Sequence, residues 1–190
     1  QPLGDVVTAF ARYAESFRVP TVDERIGMSP YGNPTSFDLK TQKSHDAEAG
    51  VKLRAGAFNA QWSAYDMRLT NEIFYSPATF TNVNLDPTHR YGSELAASYQ
   101  LTETVRLRAG LAYTRAVFSE GPFAGKDVPL VSRWTESAGL AWNIIGKALV
   151  FDGKVRYVGP RRMDNDAANV QPTIPAAALV DVRLSGEIDR

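Results

Sequence analysis

Arg106 and Arg108 stand two residues apart in the stretch TVRLRAGLAYTRAVF, so on an extended chain both guanidinium groups project from one side. Glu48, Glu94, Arg156 and Arg183 occur in similarly alternating surroundings. Charges of both signs at that spacing are suited to cross-strand ion pairing, the expected chemistry of this set. His45 and His89 are isolated histidines, which are more often structural than ligating. Asp164, Asn165 and Asp166 in RMDNDAAN offer oxygens to calcium, but the spaced ligands and closing Glu of a calcium loop are missing. An acidic surface loop is expected there instead. Catalytic chemistry has no support. The chain has no cysteine, hence no thiol nucleophile, thiolate metal site or disulfide. It also lacks GxSxG, HExxH and any phosphate-binding loop, so we expect no enzyme, no metal and no cofactor.

The elements holding those charges read as strands. Alternation with a period of two recurs, and helical periodicity is scarce. In SHDAEAGVKLR, His45, Ala47, Ala49, Val51 and Leu53 oppose Asp46, Glu48, Lys52 and Arg54. YGSELAASYQL sets Tyr91, Leu95, Ala97, Tyr99 and Leu101 against Glu94, Ser98 and Gln100. LVFDGKVRYVG sets Leu149, Phe151, Val155 and Tyr157 against Asp152, Lys154 and Arg156. Val180, Val182, Leu184 and Ile188 oppose Asp181, Arg183, Glu187 and Asp189, and Val7, Ala9, Ala11 and Tyr13 oppose Thr8 and Arg12. RWTESAGLAWNI keeps Trp134, Ala138, Leu140, Trp142 and Ile144 together but adds Glu136 to their side. In FNAQWSAYDMRLTNEIFY the apolar phase moves from Phe58, Ala60 and Trp62 to Tyr65, Met67, Leu69 and Ile73, as a β-bulge would produce. About eight strands result.

Short and long connections alternate along the chain. Tight ones fall around Arg54 to Gly56, Leu101 to Glu103 and Ile144 to Lys147. Long ones run from Arg18 to Lys40, Ser76 to Thr88, Ser119 to Pro129 and Pro160 to Ala177, and they hold most of the prolines. An up-and-down antiparallel sheet with plain turns at one end gives this pattern, as outer-membrane barrels do. Tyr91, Tyr99, Tyr113, Trp134, Trp142 and Tyr157 fall near strand ends on the apolar side, where interfacial girdles would need them. A soluble sandwich or lipocalin-like barrel would want larger apolar groups than Ala9, Ala11, Ala47 and Ala49. The formal net charge is zero, which gives nucleic acid no purchase. No apolar run approaches the roughly 18 residues of a membrane helix. The opening QPLGDVVTAF shows no signal peptide, consistent with a mature chain or a fragment.

A family resemblance rests on five motifs in order. ARYAESFRVPTVDE resembles the strand and loop of TonB-dependent outer-membrane receptors that run into Phe-Arg-x-Pro-Thr and an acidic pair. LKTQKSHDAEAGVKLR is similar to the Leu-Lys-Pro-Glu-x-Ser segment that follows, and MRLTNEIFYSP with TNVNLDPTHRYGSEL to the next two strands. GKDVPLVSRWTESAGLAWN resembles a Pro-Leu-Val-Pro-Arg strand start, and RYVGPRRMDNDAAN with IPAAALVDVRLS a Val-Asp-x-Arg strand near the barrel's end. The resemblance implies an all-β antiparallel transmembrane barrel, with residues 1–190 forming about eight of some 22 strands. The family's plug domain, TonB-contacting box and final aromatic-ended hairpin have no counterpart here, so the expectation is a late-middle portion of the barrel.

That resemblance implies residence among lipids of a Gram-negative outer membrane and uptake of a scarce ligand, most often a ferric siderophore. TonB would act through the missing plug. Candidate ligand contacts in the long loops are Arg18, Tyr31, Phe80, Phe123, Arg161 and Arg162, since arginines and rings suit an anionic, ring-bearing iron chelate. Glu48, Glu94, Arg106, Arg108, Arg156 and Arg183 would form an ion network on the lumen side. Cobalamin and haem receptors share the barrel. FRVP with GNPTSFDL resembles the boxes flanking a haem receptor's axial histidine, yet no histidine lies between Pro20 and Asn33. A small barrel that transports nothing is the reading from another class, and the polar carboxyl end speaks against its closure.

Overall fold

The computed structural model describes residues 6–26, 38–76, 79–146 and 148–187. Ten strands and one short helix follow in order: β1 (Val6–Arg18), α1 (Val22–Ile26), β2 (Gln42–Ala55), β3 (Phe58–Thr70), β4 (Ile73–Ser76), β5 (Thr81–Asn84), β6 (Thr88–Gln100), β7 (Val105–Phe118), β8 (Trp134–Ile145), β9 (Leu149–Val158) and β10 (Ala177–Ser185). Eight of them form one antiparallel sheet in the order β1-β2-β3-β6-β7-β8-β9-β10, and β4 and β5 make a separate hairpin. The sheet does not close on itself; β1 and β10 are its edges.

Register carries the alternation across the whole sheet. Val7 pairs with Leu53, Leu53 with Ala60, Ala60 with Ala97, Ala97 with Ala109, Ala109 with Ala138, Ala138 with Val155 and Val155 with Val180. This row is apolar from edge to edge, and nothing among the described residues covers it: Val7 is 70% exposed and Val180 68%. Among the described residues the buried apolar side chains are Leu39, Leu69, Ala116, Phe118 and Val128, all toward the long-loop end. Among the described residues no second sheet packs on the leucine-bearing face, which speaks against the sandwich alternative. Glu136, flanked in register by Leu111 and Tyr157, puts a charge inside this belt, and Asp66 and Arg115, on either side of Tyr91, put two more at its loop-side edge.

Two sequence expectations change. The register of β3 against β6 runs unbroken from Phe58 to Leu69, so the phase shift in β3 is not a bulge. Instead the two sides exchange character toward the loop end: Asp66 and Arg68 continue the Trp62 side, while Tyr65, Met67 and buried Leu69 lie on the other, under the loops. Among the described residues the register shifts between Asn143 and Ile145, against β9. Ile73 does not extend β3 either, because Asn71 takes a left-handed conformation (φ 57°) and redirects the chain into the β4–β5 hairpin.

Two glycines let the polar face carry bulky side chains. A Cβ on Gly92 would meet the Tyr113 carbonyl oxygen at 2.1 Å and the Tyr65 hydroxyl at 2.8 Å. Tyr65 therefore lies across Gly92, and its hydroxyl reaches Thr114 Oγ1 at 2.8 Å on the next strand. Gly139 keeps a lane open in the same way: its Cβ position is 3.4 Å from Arg108 Nε, whose side chain crosses it.

Candidate functional site

The three short turns sit together at one end of the sheet, and at the other the long connections build a cap. In the first, Thr21 and Glu24 form a reciprocal capping box on α1: the Thr21 amide donates to Glu24 Oε2 at 2.8 Å and the Glu24 amide to Thr21 Oγ1 at 3.3 Å. The Thr21 amide, followed by the Arg18 guanidinium, holds the Glu24 carboxyl below its ordinary range. Arg18, expected as a ligand contact, is therefore paired with Glu24. Tyr31 lies outside the described residues. In the hairpin connection Asn84 is the clamp, accepting from the Lys40 amide at 2.8 Å and donating to the Lys40 and Asn71 carbonyls at 3.1 and 2.8 Å. Phe80 lies in the β4–β5 turn with φ 54° and is 40% exposed.

Two more connections, 119–133 and 159–176, are stitched into one body. Asn169 Oδ1 accepts from the Asp127 amide at 2.7 Å while its Nδ2 donates to the Asp127 carbonyl at 2.9 Å, as a paired strand would. The Leu130 amide donates to the Arg162 carbonyl at 3.1 Å. Asp127's carboxylate receives Arg133 at 3.0 Å and lies 3.9 Å from Arg162. Beneath them Ala116, Phe118 and Val128 form a small core with Leu85, Phe123, Val131 and Ala167 packed against it. Phe123 is part of that core, its ring centroid 6.0 Å from that of Phe118. The acidic stretch also departs from expectation. Asp166 is only 2% exposed and accepts the Val170 and Gln171 amides at 2.8 and 3.2 Å, so it builds the loop from within. No group of three metal-ligating side chains occurs among the described residues. Between these loops and the head of the sheet lies a cavity of about 320 Å³ whose charged lining is Asp127, Arg133, Arg161 and Arg162.

On the polar face, register puts Glu48, Glu94, Arg106, Arg108, Arg156 and Arg183 on one side, opposite the apolar row. The pairing is partial. Glu48 takes Arg12 at 3.3 Å, and Arg12 also bonds Asp46 at 3.0 Å. Arg108 reaches over Gly139 to Asp152, two strands away, at 2.5 Å, and Arg156 meets Asp181 at 3.0 Å on the diagonal. Arg106 donates to Gln100 Oε1 at 2.9 Å rather than to an acid. Glu94 and Arg183 have no opposite charge within 4.0 Å among the described residues. Asp127, Arg133 and Asn169 escaped the sequence reading, and Arg12, placed on the polar side, was left out of the expected ion network. Arg12 was visible from its parity, whereas the other three matter through contacts between distant loops. His45 lies 3.3 Å from Glu15, and His89 2.5 Å from Asp66.

Comparisons with known proteins agree on the architecture. The model of the family described as TonB dependent receptor-like, beta-barrel matches residues 2–188. The Ferrioxamine B receptor of Salmonella typhimurium (strain LT2) is 30% identical over 175 residues, which is 82% of this chain and 24% of that protein. The chain thus spans about a quarter of its curated relative. Among solved structures, the copper transporter OprC superposes with a TM-score of 0.75 at 21% identity, covering 97% of this chain and 29% of that one. The ferric yersiniabactin uptake receptor FyuA of Yersinia pestis gives 0.70 at 20%, covering 96% and 28%. The ferric citrate transporter FecA gives 0.69 at 18%, covering 99% and 29%. At those identities the structures speak for the fold, and the family model covers nearly every residue: this chain belongs to the TonB-dependent receptor-like β-barrel family.

Proposed function

We propose that this chain forms part of the wall of an outer-membrane receptor that takes up a ferric siderophore in a TonB-dependent manner. The observation that carries the membrane part is the uncovered apolar belt and its fringes. β6 bears Tyr91 and Tyr99, and β8 bears Trp134 and Trp142, each pair on the apolar face and eight positions apart. Eight rises of about 3.4 Å, on a strand tilted by about 45°, span roughly 20 Å, close to the ~25 Å apolar band of an outer-membrane barrel. In hydrocarbon each backbone amide must be paired, which requires further strands on the edges of β1 and β10. The face carrying Glu48, Glu94, Arg106, Arg108, Arg156 and Arg183 then lines the lumen, and TonB acts through a plug domain seated there. The ligand arrives at the loop cap, where Arg18, Phe80, Phe123, Arg161 and Arg162 lie. The 30% identity to a ferrioxamine B receptor favours a ferric siderophore as the cargo.

The test is uptake by cells carrying or lacking the intact receptor under iron limitation, using radioactive iron in ferric siderophores. Uptake restored by the gene, and lost when TonB is removed, is the expected result. Should only cyanocobalamin or haemin uptake respond, the cargo is wrong; should no solute respond, a barrel without transport replaces the proposal.

A further inference from the structure

We infer that the loop cavity bounded by Arg133, Arg161 and Arg162 is an anion-selective subsite, and that the cargo reaching it is a carboxylate-bearing ferric chelate. This deepens the uptake reading and rests on it. Three arginines stand against the single carboxylate of Asp127, an excess of two positive charges around about 320 Å³. That carboxylate is already engaged with Arg133 at 3.0 Å and is 3.9 Å from Arg162. Arg161 has no acid within 4.0 Å among the described residues, although its backbone is fixed by hydrogen bonds with Ile174 in both directions, at 3.2 and 2.8 Å. A guanidinium carried on a fixed backbone, with no acid taking its donors, is suited to a planar, two-oxygen acceptor. Thr173 belongs to the same wall, as does Thr114, whose hydroxyl is engaged with that of Tyr65.

Two further features narrow the chemistry. Phe118 and Phe123 are packed on each other in the small core, and Trp134, the aromatic residue in the cavity's lining, rests against Tyr113 with ring centroids 4.9 Å apart. The neighbouring cavity, which shares Thr114 and Val131 with this one, is lined by Asp46, Glu48 and Glu94 against Arg12 and Arg90. Charge therefore changes sign across the shared wall, and an anion is held at the loops rather than on the face below.

Equilibrium binding to outer membranes containing the full-length receptor tests this with two probes, ferric citrate as the anionic carboxylate chelate and ferrioxamine B, whose pendant amine makes it cationic. Ferric citrate should bind more tightly than ferrioxamine B, and its affinity should fall with rising salt. Arg161→Gln and Arg161→Glu should weaken it by about tenfold or more, while Arg161→Lys recovers part of the loss. Membrane level and heat-modifiable mobility of each variant establish that it has folded. Ferric citrate binding that ignores Arg161→Gln and Arg161→Lys, or a preference for ferrioxamine B, overturns the subsite and leaves siderophore uptake standing. Failure to bind any ferric chelate overturns the uptake reading itself.

Discussion

Between Tyr91 and Tyr99 the side on which a residue projects follows from parity alone; in the connections 119–133 and 159–176 it follows from which amide or carbonyl needs a partner. The sheet repeats one rule along eight strands, and a row such as Leu53, Ala60, Ala97 and Ala109 needs only to be apolar. The loops have no such row. They are held by particular side chains, Asn84, Asn169 and Asp166, each spanning backbone groups that lack a ladder partner. The sheet should therefore tolerate many residues on the correct side and none of the wrong polarity, while the loops should be sensitive to single amides.

The largest expected effect puts a charge on each side at the same depth. Ala109 and Ser98 are in neighbouring rows of β7 and β6, on opposite faces. Ala109→Arg in the intact receptor should lower stability in lipid by about 2–4 kcal/mol, the cost of an arginine facing the middle of the bilayer. Ser98→Arg, one row away on the polar side, should cost less than about 1 kcal/mol. Denaturant unfolding in vesicles reads both. Equal losses would break the assignment of faces, and a large loss only at Ser98 would reverse it.

Next in size is the loop clamp. Asn169→Ala strips the Asp127 amide and carbonyl of their partner, and a buried polar group left unpaired costs about 1–3 kcal/mol. The loss should stay within the connections 119–133 and 159–176, raising protease cleavage of those loops by about tenfold or more while the melting of the sheet is unchanged. A matching drop in global stability would mean that sheet and cap are one cooperative unit.

The same contrast explains what the sequence made legible. Alternation and turn chemistry are local, so strands, sidedness and the short-long rhythm of connections could be read from residues a few positions apart. Asp127 and Asn169 are 42 residues apart, and neither carries a periodic signal. Phe123 illustrates the limit: nothing in its polar loop signals that its ring lies beside that of Phe118, with centroids 6.0 Å apart. The Tyr65, Met67 and Leu69 run misled for a related reason, since residues above the belt answer to the cap over them rather than to the strand's period.

The smallest effect sharpens the comparison from the sheet's other side. Arg108 and Asp152 are 46% and 40% exposed, and Arg156 and Asp181 48% and 59%. For pairs this open to water, double-mutant cycles should give about 0.2–1 kcal/mol of coupling, declining as salt is added. The clean version in the intact receptor uses Arg108→Gln, Asp152→Asn and the double variant, which keep side-chain volume while removing charge. Coupling well above about 1 kcal/mol, insensitive to salt, would mean that another part of the receptor dries this face. The ionic side would then depend on specific partners, as the loops do, and parity would decide only where a residue points.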